Sequence, residues 1–162
     1  VEIWKTGHSN IKSRMKQQSS LLAGEMSGHV FFSDNYYGYD DALYSSIRFL
    51  QLMNAGKEIE TFLNNLDEFY FTPEIKISCP EKIKFRIIEK IISKLKKMYD
   101  LKQLLLIDGV RVNFDFGWYL IRASNTENAL VIRVEGKTKK HLSSLITEVK
   151  ILLKEENIFI NL

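Results

Sequence analysis

Two hydrophobic periods alternate along the 162-residue chain, and the elements they predict fall into two groups. Val1 to Trp4 alternates apolar and polar residues, as a strand end does. SNIKSRMKQQ then reads as a helix with a polar cap at Ser9 or Asn10. Leu21 to Ala23 and Val30 to Phe32 are short apolar strand candidates on either side of a glycine-flanked turn. Asp40 and Asp41 sit where carboxylates favour a helix start, ahead of a helical stripe of Leu43, Ile47, Leu50 and Met53. Asn54-Ala55-Gly56 stops that helix, and a second short one is expected over about Ile59 to Leu66. DEFYFTPEIKISCP turns extended, with Thr72 pushed toward β by Pro73. A domain boundary is placed here, giving units over 1–69 and 70–162 with Thr72-Pro73 as the hinge segment.

The second group is more regular. Pro80 opens a helix that keeps Ile88, Ile91, Ile92, Leu95 and Tyr99 on one face and Lys84, Lys90, Lys94 and Lys97 on others. The lysine-rich run from Lys82 to Lys97 reads as a solvated face. Strands follow over Gln103 to Ile107 with Val110 to Phe114, Tyr119 to Ala123 and Leu130 to Glu135, separated by Asp-Gly, Asp-Phe-Gly and SNTEN turns. A last helix carries Leu142, Leu145, Ile146, Val149, Leu152 and Leu153. A strand, a helix, three or four strands and a helix predict an α+β sheet with both helices on one face.

Composition narrows the function classes. A net charge of +3, spread over 23 basic and 20 acidic residues, is too mild to imply a nucleic-acid partner but suits an anionic small molecule. Cys79 is the single cysteine, so no disulfide forms within the chain and a reducing cytoplasm is the expected compartment. No apolar run approaches the roughly 20 residues of a membrane-spanning helix. The chain opens on VEIWKTGH without a methionine or a signal peptide, as expected of the interior of a larger protein.

Chemistry-bearing residues gather in three places. In Gly24-Glu25-Met26-Ser27-Gly28-His29 the glycines admit positive φ and close approach of a ligand, while a carboxylate accepts from neighbouring hydroxyls, which suits a sugar. The same turn also reads as a plain hairpin with solvated polar residues. His8, after Gly7, is either a neighbour of a helix start or an imidazole set near substrate as acid or base. Arg122-Ala123-Ser124-Asn125-Thr126-Glu127 combines a planar fork, hydroxyls and turn N–H groups, as a phosphate cradle does; the alternative is a polar turn with a solvated arginine. A zinc site of His8, Glu25 and His29 has no ligand pair at the i, i+4 helical spacing of familiar zinc motifs and no cysteine cluster, so no metal is expected in this chain. NYYGY and EFYF lack interleaved basic residues and fit packing better than base stacking.

WKTGHSNIK, LLAGEMSGHVFF, YYGYDDALYSSIRFL, TPEIKI, DGVRVNF and GWYLIRASNTENAL occur in order, and together resemble the C-terminal part of a bacterial phosphomannomutase/phosphoglucomutase of the α-D-phosphohexomutase superfamily. The resemblance implies the end of a third, mixed α/β domain over 1–69, followed by a fourth, α+β domain over 70–162 similar to the TATA-binding protein. It implies that Glu25 and Ser27 hold sugar hydroxyls with His29 in the same loop, and that His8 is an acid/base or positioning group. Arg122, Ser124, Asn125 and Thr126 would anchor the phosphate that is not transferred. The implied parent is a cytoplasmic isomerase and phosphoprotein that interconverts hexose 1- and 6-phosphates through a hexose 1,6-bisphosphate. Its phosphoserine and its Mg2+-binding aspartates belong to N-terminal domains that this chain lacks, so the chain alone is expected to be inactive. Met26 between Glu25 and Ser27 points to mannose or glucose rather than glucosamine, and Asn128 stands where the family usually has proline. The expected partners are a phosphohexose and the missing domains, with neither nucleic acid nor membrane; the alternative is a non-catalytic phosphosugar-binding module.

Overall fold

The computed structural model describes residues 1–56 and 58–160, which divide into two compact units, Val1–Asp67 and Glu68–Leu162. In the first unit, helix α1 spans His8–Gln18 and packs Ile11 and Met15 against Phe31. Its cap is Gly7 at φ 113°, and Ile11 N–H already donates to the Gly7 carbonyl at 3.0 Å. The polar cap expected at Ser9 or Asn10 is therefore not formed; both lie inside the first turn, and Asn10 donates instead to the Thr6 carbonyl at 2.8 Å. Val1 to Trp4 is not a strand either, because no described segment pairs with it. Arg14 holds it against α1 by donating to both oxygens of Glu2, at 2.5 and 3.0 Å, and by stacking 4.1 Å from the Trp4 ring.

Strands β1 (Leu22–Gly24) and β2 (Val30–Phe32) form an antiparallel hairpin in which Gly24 faces Val30 across the five-residue turn. Helix α2 (Ala42–Asn54) starts at Asp41, whose side chain accepts from Tyr44 N–H at 3.0 Å. The face of α2 that packs is not the expected stripe. Leu43, Ile47, Leu50 and Met53 remain 52–80% exposed, while Tyr44 and Arg48, one turn apart, lie over Phe32 on β2. Asp34 fixes Arg48 there through bonds of 2.8 and 2.9 Å. Helix α3 spans Ile59–Asn64.

The second unit is an antiparallel sheet of β3 (Tyr70–Phe71), β4 (Ile75–Ser78), β5 (Leu104–Leu105), β6 (Val110–Phe114), β7 (Gly117–Ala123) and β8 (Ala129–Gly136). β8, β7, β6 and β5 are successive neighbours, and β3 and β4 both pair with the far side of β8. Between them Thr72 is buried; its N–H donates to the Val134 carbonyl at 2.9 Å, and its hydroxyl accepts from Val134 N–H at 3.1 Å. Thr72-Pro73 is thus an interruption within one docked edge rather than the expected hinge. Proline ends the ladder because it has no N–H to donate, and the last pairing before it is closed by the Thr72 hydroxyl, which accepts from Val134 N–H.

Helices α4 (Glu81–Met98) and α5 (Lys139–Lys154) cover one face of this sheet. Ile87, Ile88, Ile91 and Leu95 from α4 meet Leu145, Val149, Leu152 and Leu153 from α5 over Val112, Tyr119, Ile121 and Ile132. The alternation along β7 leaves Trp118, Leu120 and Arg122 on the partly exposed opposite face. One lysine breaks the solvated-face expectation: Lys84 is 1% exposed. It lies at i, i+4, i+7 and i+11 with Ile88, Ile91 and Leu95, so helical period carries it into the core side. Among the described residues, no helix is long and apolar enough to cross a membrane.

Candidate functional site

The turn between β1 and β2 closes on itself through the backbone. Glu25 N–H donates to the His29 carbonyl at 2.8 Å, and Gly28 N–H to the Glu25 carbonyl at 3.0 Å. This leaves the Glu25 side chain to reach α1, where its Oε1 accepts from Gly7 N–H at 2.9 Å. Glu25 therefore caps the start of the helix that carries His8, a position where a carboxylate is favoured by orphan N–H groups and by the helix dipole. Gly7 is suited to the junction because its positive φ costs an L side chain about 1 kcal/mol.

Three of the four sequence-predicted residues of this unit converge. His8 Nε2 lies 3.9 Å from Glu25 Oε2, the His8 and His29 ring centroids are 4.8 Å apart, and His8 meets Phe31 edge-on at 5.3 Å. Ser27 does not join them; it stands exposed in the turn with no side-chain partner among the described residues. Asp40 does, although sequence reading treated it only as a helix-start carboxylate. Its Oδ2 lies 2.6 Å from His29 Nδ1 and 3.5 Å from His8 Nε2. It reaches them because its backbone bridges Phe31 in β2, just before α2 begins. One carboxylate thus serves two imidazoles, and its bond to His29 favours the Nδ1–H tautomer, which leaves Nε2 as the acceptor nitrogen of that ring.

In the second unit, β7 ends in the loop from Ser124 to Asn128. Ser124 is buried, and its hydroxyl oxygen accepts from Glu127 N–H at 3.0 Å and Thr126 N–H at 3.4 Å. Its side chain shapes the turn from within, whereas Asn125 and Thr126 are exposed at its tip. Lys84 ties the loop from beneath, donating to the Ser124 carbonyl at 2.6 Å and the Glu127 carbonyl at 3.0 Å, with Glu81 at 2.5 Å. The Asn128 carbonyl accepts from Cys79 N–H at 2.8 Å, and Lys76 pairs with Glu127 at 2.7 Å. Inward carbonyls are satisfied, and the side chains of Asn125 and Thr126 remain at the tip.

Arg122 stands at the root of this loop with its side chain 12% exposed. Its nearest acidic neighbour is Asp108 Oδ2, 3.8 Å from Nη1 and too far for a hydrogen bond. That oxygen is itself buried without a hydrogen-bond partner among the described residues. The guanidinium is thus held near a counter-charge with no hydrogen bond spent among the described residues, as anion recognition requires. Asp108 approaches because Gly109, at φ 73°, passes so near β7 that a Cβ would fall 2.4 Å from the Ile121 carbonyl. Asp108 and Lys84 were not singled out as site residues in the sequence. For Lys84 the signal was its place in the Ile88, Ile91, Leu95 period; for Asp108 no periodic signal exists.

Comparison with known proteins gives one answer along the chain. Residues 1–69 match the alpha/beta/alpha domain III of phosphoglucomutase/phosphomannomutase, and residues 74–152 match the C-terminal domain. A phosphomannomutase/phosphoglucomutase of Pseudomonas syringae pv. tomato is 46% identical over 148 residues, covering 88% of this chain and 30% of the relative. A phosphoglucomutase of Neisseria gonorrhoeae is 40% identical over 151 residues, covering 93% of this chain and 33% of the relative. A crystal structure of a phosphoglucomutase/phosphomannomutase family protein from Burkholderia thailandensis superposes with a TM-score of 0.80 at 34% identity, covering 98% of this chain and 33% of that one. The chain spans about a third of the length of the curated relatives it matches. With domain III and C-terminal domain sequences matched in order, the chain belongs to the phosphoglucomutase/phosphomannomutase family.

Proposed function

We propose that this chain supplies the sugar- and phosphate-recognition loops of an enzyme that interconverts hexose 1-phosphates and hexose 6-phosphates of mannose or glucose. The observation that carries this is the pairing of a guanidinium with no hydrogen bond spent among the described residues, Arg122, with a loop whose carbonyls are already turned inward and bonded. Such a loop recognises phosphate without recognising what the phosphate is attached to. The turn of Glu25, Ser27 and His29 does the reverse. Glu25 keeps Oε2 as an acceptor while Oε1 is occupied by Gly7 N–H, and Ser27 offers a free hydroxyl, so together they read hydroxyl positions and no charge.

His8 and His29, both against Asp40, are placed to move a proton at a substrate hydroxyl or to position it. In a reaction through a bisphosphorylated sugar, each phosphate visits the anchor in turn, so an anchor blind to sugar orientation suits it. The magnesium of the family does not fit the residues present. This cluster mixes imidazole nitrogens with carboxylate, whereas Mg2+ demands oxygen ligands, and the sequence has no aspartate-rich loop. No step here passes through it.

The test is ligand-observed NMR titration of the 162-residue chain with mannose 1-phosphate, glucose 1-phosphate and inorganic phosphate. Arg122→Ala should weaken all three by about ten- to a hundredfold, the loss of charge-assisted hydrogen bonds worth roughly 1.5–3 kcal/mol. Glu25→Gln should weaken both sugar phosphates and spare inorganic phosphate. Arg122→Ala shifting sugar preference while phosphate affinity stays intact would reverse the assignment of the two loops.

A further inference from the structure

His8 lies seventeen residues from Glu25 in sequence, and Glu25 and His29 share one turn without a familiar metal motif, yet the fold gathers one ligand atom of each within 4.8 Å of one another. Metal–ligand bonds of about 2.0–2.2 Å in a tetrahedron set donor atoms roughly 3.3–3.6 Å apart. His8 Nε2 and Glu25 Oε2, at 3.9 Å, are already near that separation. Both imidazole side chains are about half exposed, at 45% and 44%, so a small change of rotamer has solvent to move into.

The donors are also held from behind, which separates a built site from a chance cluster. Glu25 Oε1 is fixed by Gly7 N–H at 2.9 Å, leaving Oε2 free. Asp40, 2.6 Å from His29 Nδ1 and 3.5 Å from His8 Nε2, takes the place of an orienting carboxylate or of a fourth donor. Two imidazoles and a carboxylate select a borderline first-row cation over Mg2+ or Ca2+.

We propose that His8, Glu25 and His29 bind a divalent transition-metal ion, Zn2+ foremost, and that the bound ion excludes the sugar. The exclusion rests on the reading that Glu25 contacts sugar hydroxyls; the metal site itself does not. A cation on Oε2 occupies the one oxygen of Glu25 left for a hydroxyl, so metal and hexose compete, and the ion acts as an inhibitor rather than a cofactor.

Co2+ serves as the optical probe on the 162-residue chain, with Zn2+ as competitor. One equivalent of Co2+ should give visible absorption of tetrahedral intensity that Zn2+ abolishes. His8→Gln, His29→Gln and Glu25→Gln should each weaken Co2+ at least tenfold while circular dichroism stays unchanged. His141→Gln, in the other unit, should leave binding as it was. Asp40→Asn should cost roughly 10- to 100-fold, as loss of an orienting partner does. In the wild type, which needs no substitution, the imidazole resonances of His8 and His29 should shift with Zn2+ and that of His141 should not. Undiminished binding in His29→Gln, or a shift at His141 alone, would overturn the site. Mannose 1-phosphate releasing Co2+ supports competition; retention of Co2+ at saturating sugar phosphate, with the histidine shifts intact, upholds the metal site and overturns the exclusion.

Discussion

Lys84 shows how one side chain decides the state of a loop. Its ammonium is the donor for two carbonyls of the Ser124–Asn128 loop, and at 1% exposure no water substitutes for it. Lys84→Met keeps the aliphatic stem but strands those carbonyls, at roughly 1–3 kcal/mol for each unsatisfied group. Urea denaturation should register that loss, whereas Lys97→Met on the same helix, being exposed, should stay within about 0.5 kcal/mol. Equal midpoints for the two variants would refute the tie. A second residue-scale effect concerns Gly109, whose φ of 73° and closeness to Ile121 leave no space for a methyl group. Gly109→Ala should destabilise by roughly 1–3 kcal/mol and displace Asp108 from Arg122, so phosphate affinity measured by titration should fall with stability.

Among elements, α4, α5 and the sheet are joined by polar as well as apolar contacts. Tyr99, at the end of α4, and Tyr119, on β7, both donate to Glu148 Oε1 on α5, at 2.7 and 2.6 Å. Burial, followed by the bond to Glu148, pushes the Tyr99 phenol up to about 12 and Tyr119 higher still. An unfolded tyrosine loses its proton near pH 10, so the fold holds these protons more tightly than the unfolded chain does. Their contribution is complete below about pH 10 and declines as pH rises toward 12. Thermal unfolding followed from pH 8 to 12 should show this decline, and Tyr99→Phe should flatten it; an unchanged slope in the variant would exclude Tyr99 as its source. Periodicity made these elements legible, since the stripes of α4 and α5 and the alternation of β7 are what a one-sided sheet imposes. It misled at α2, where the apolar stripe stays exposed and a Tyr44–Arg48 face packs instead, because a stripe declares an apolar surface and not its neighbour. It was silent on Asp40 and Asp108, which enter their sites through tertiary contacts between segments. Glu25 and Arg122 stood out as candidates because turn glycines and a basic strand end mark backbone geometry locally.

At the scale of the molecule the two units are unequal. Among the described residues, seventeen form the buried apolar cluster of the second unit, while Ile11, Met15 and Phe31 form that of the first. The first should therefore unfold at lower denaturant, and Trp4 and Trp118, one in each unit, report on them separately. Fluorescence of Trp118→Phe should show the earlier transition and that of Trp4→Phe the later; coincident midpoints would contradict the inequality. The chain by itself should also show no turnover of mannose 1-phosphate in a coupled assay, since it spans only about a third of the length of its relatives; turnover by protein free of longer enzyme would refute this. The buttressed loop at Ser124 carries a further consequence, expressed in time. A loop tied at its carbonyls before any ligand arrives has little left to order, and Arg122 is too enclosed to act as a distant lure. Phosphate esters should reach it at an ordinary encounter rate and be distinguished by how long they stay, so Arg122→Ala should shorten residence and leave arrival nearly unchanged in stopped-flow or line-shape measurements.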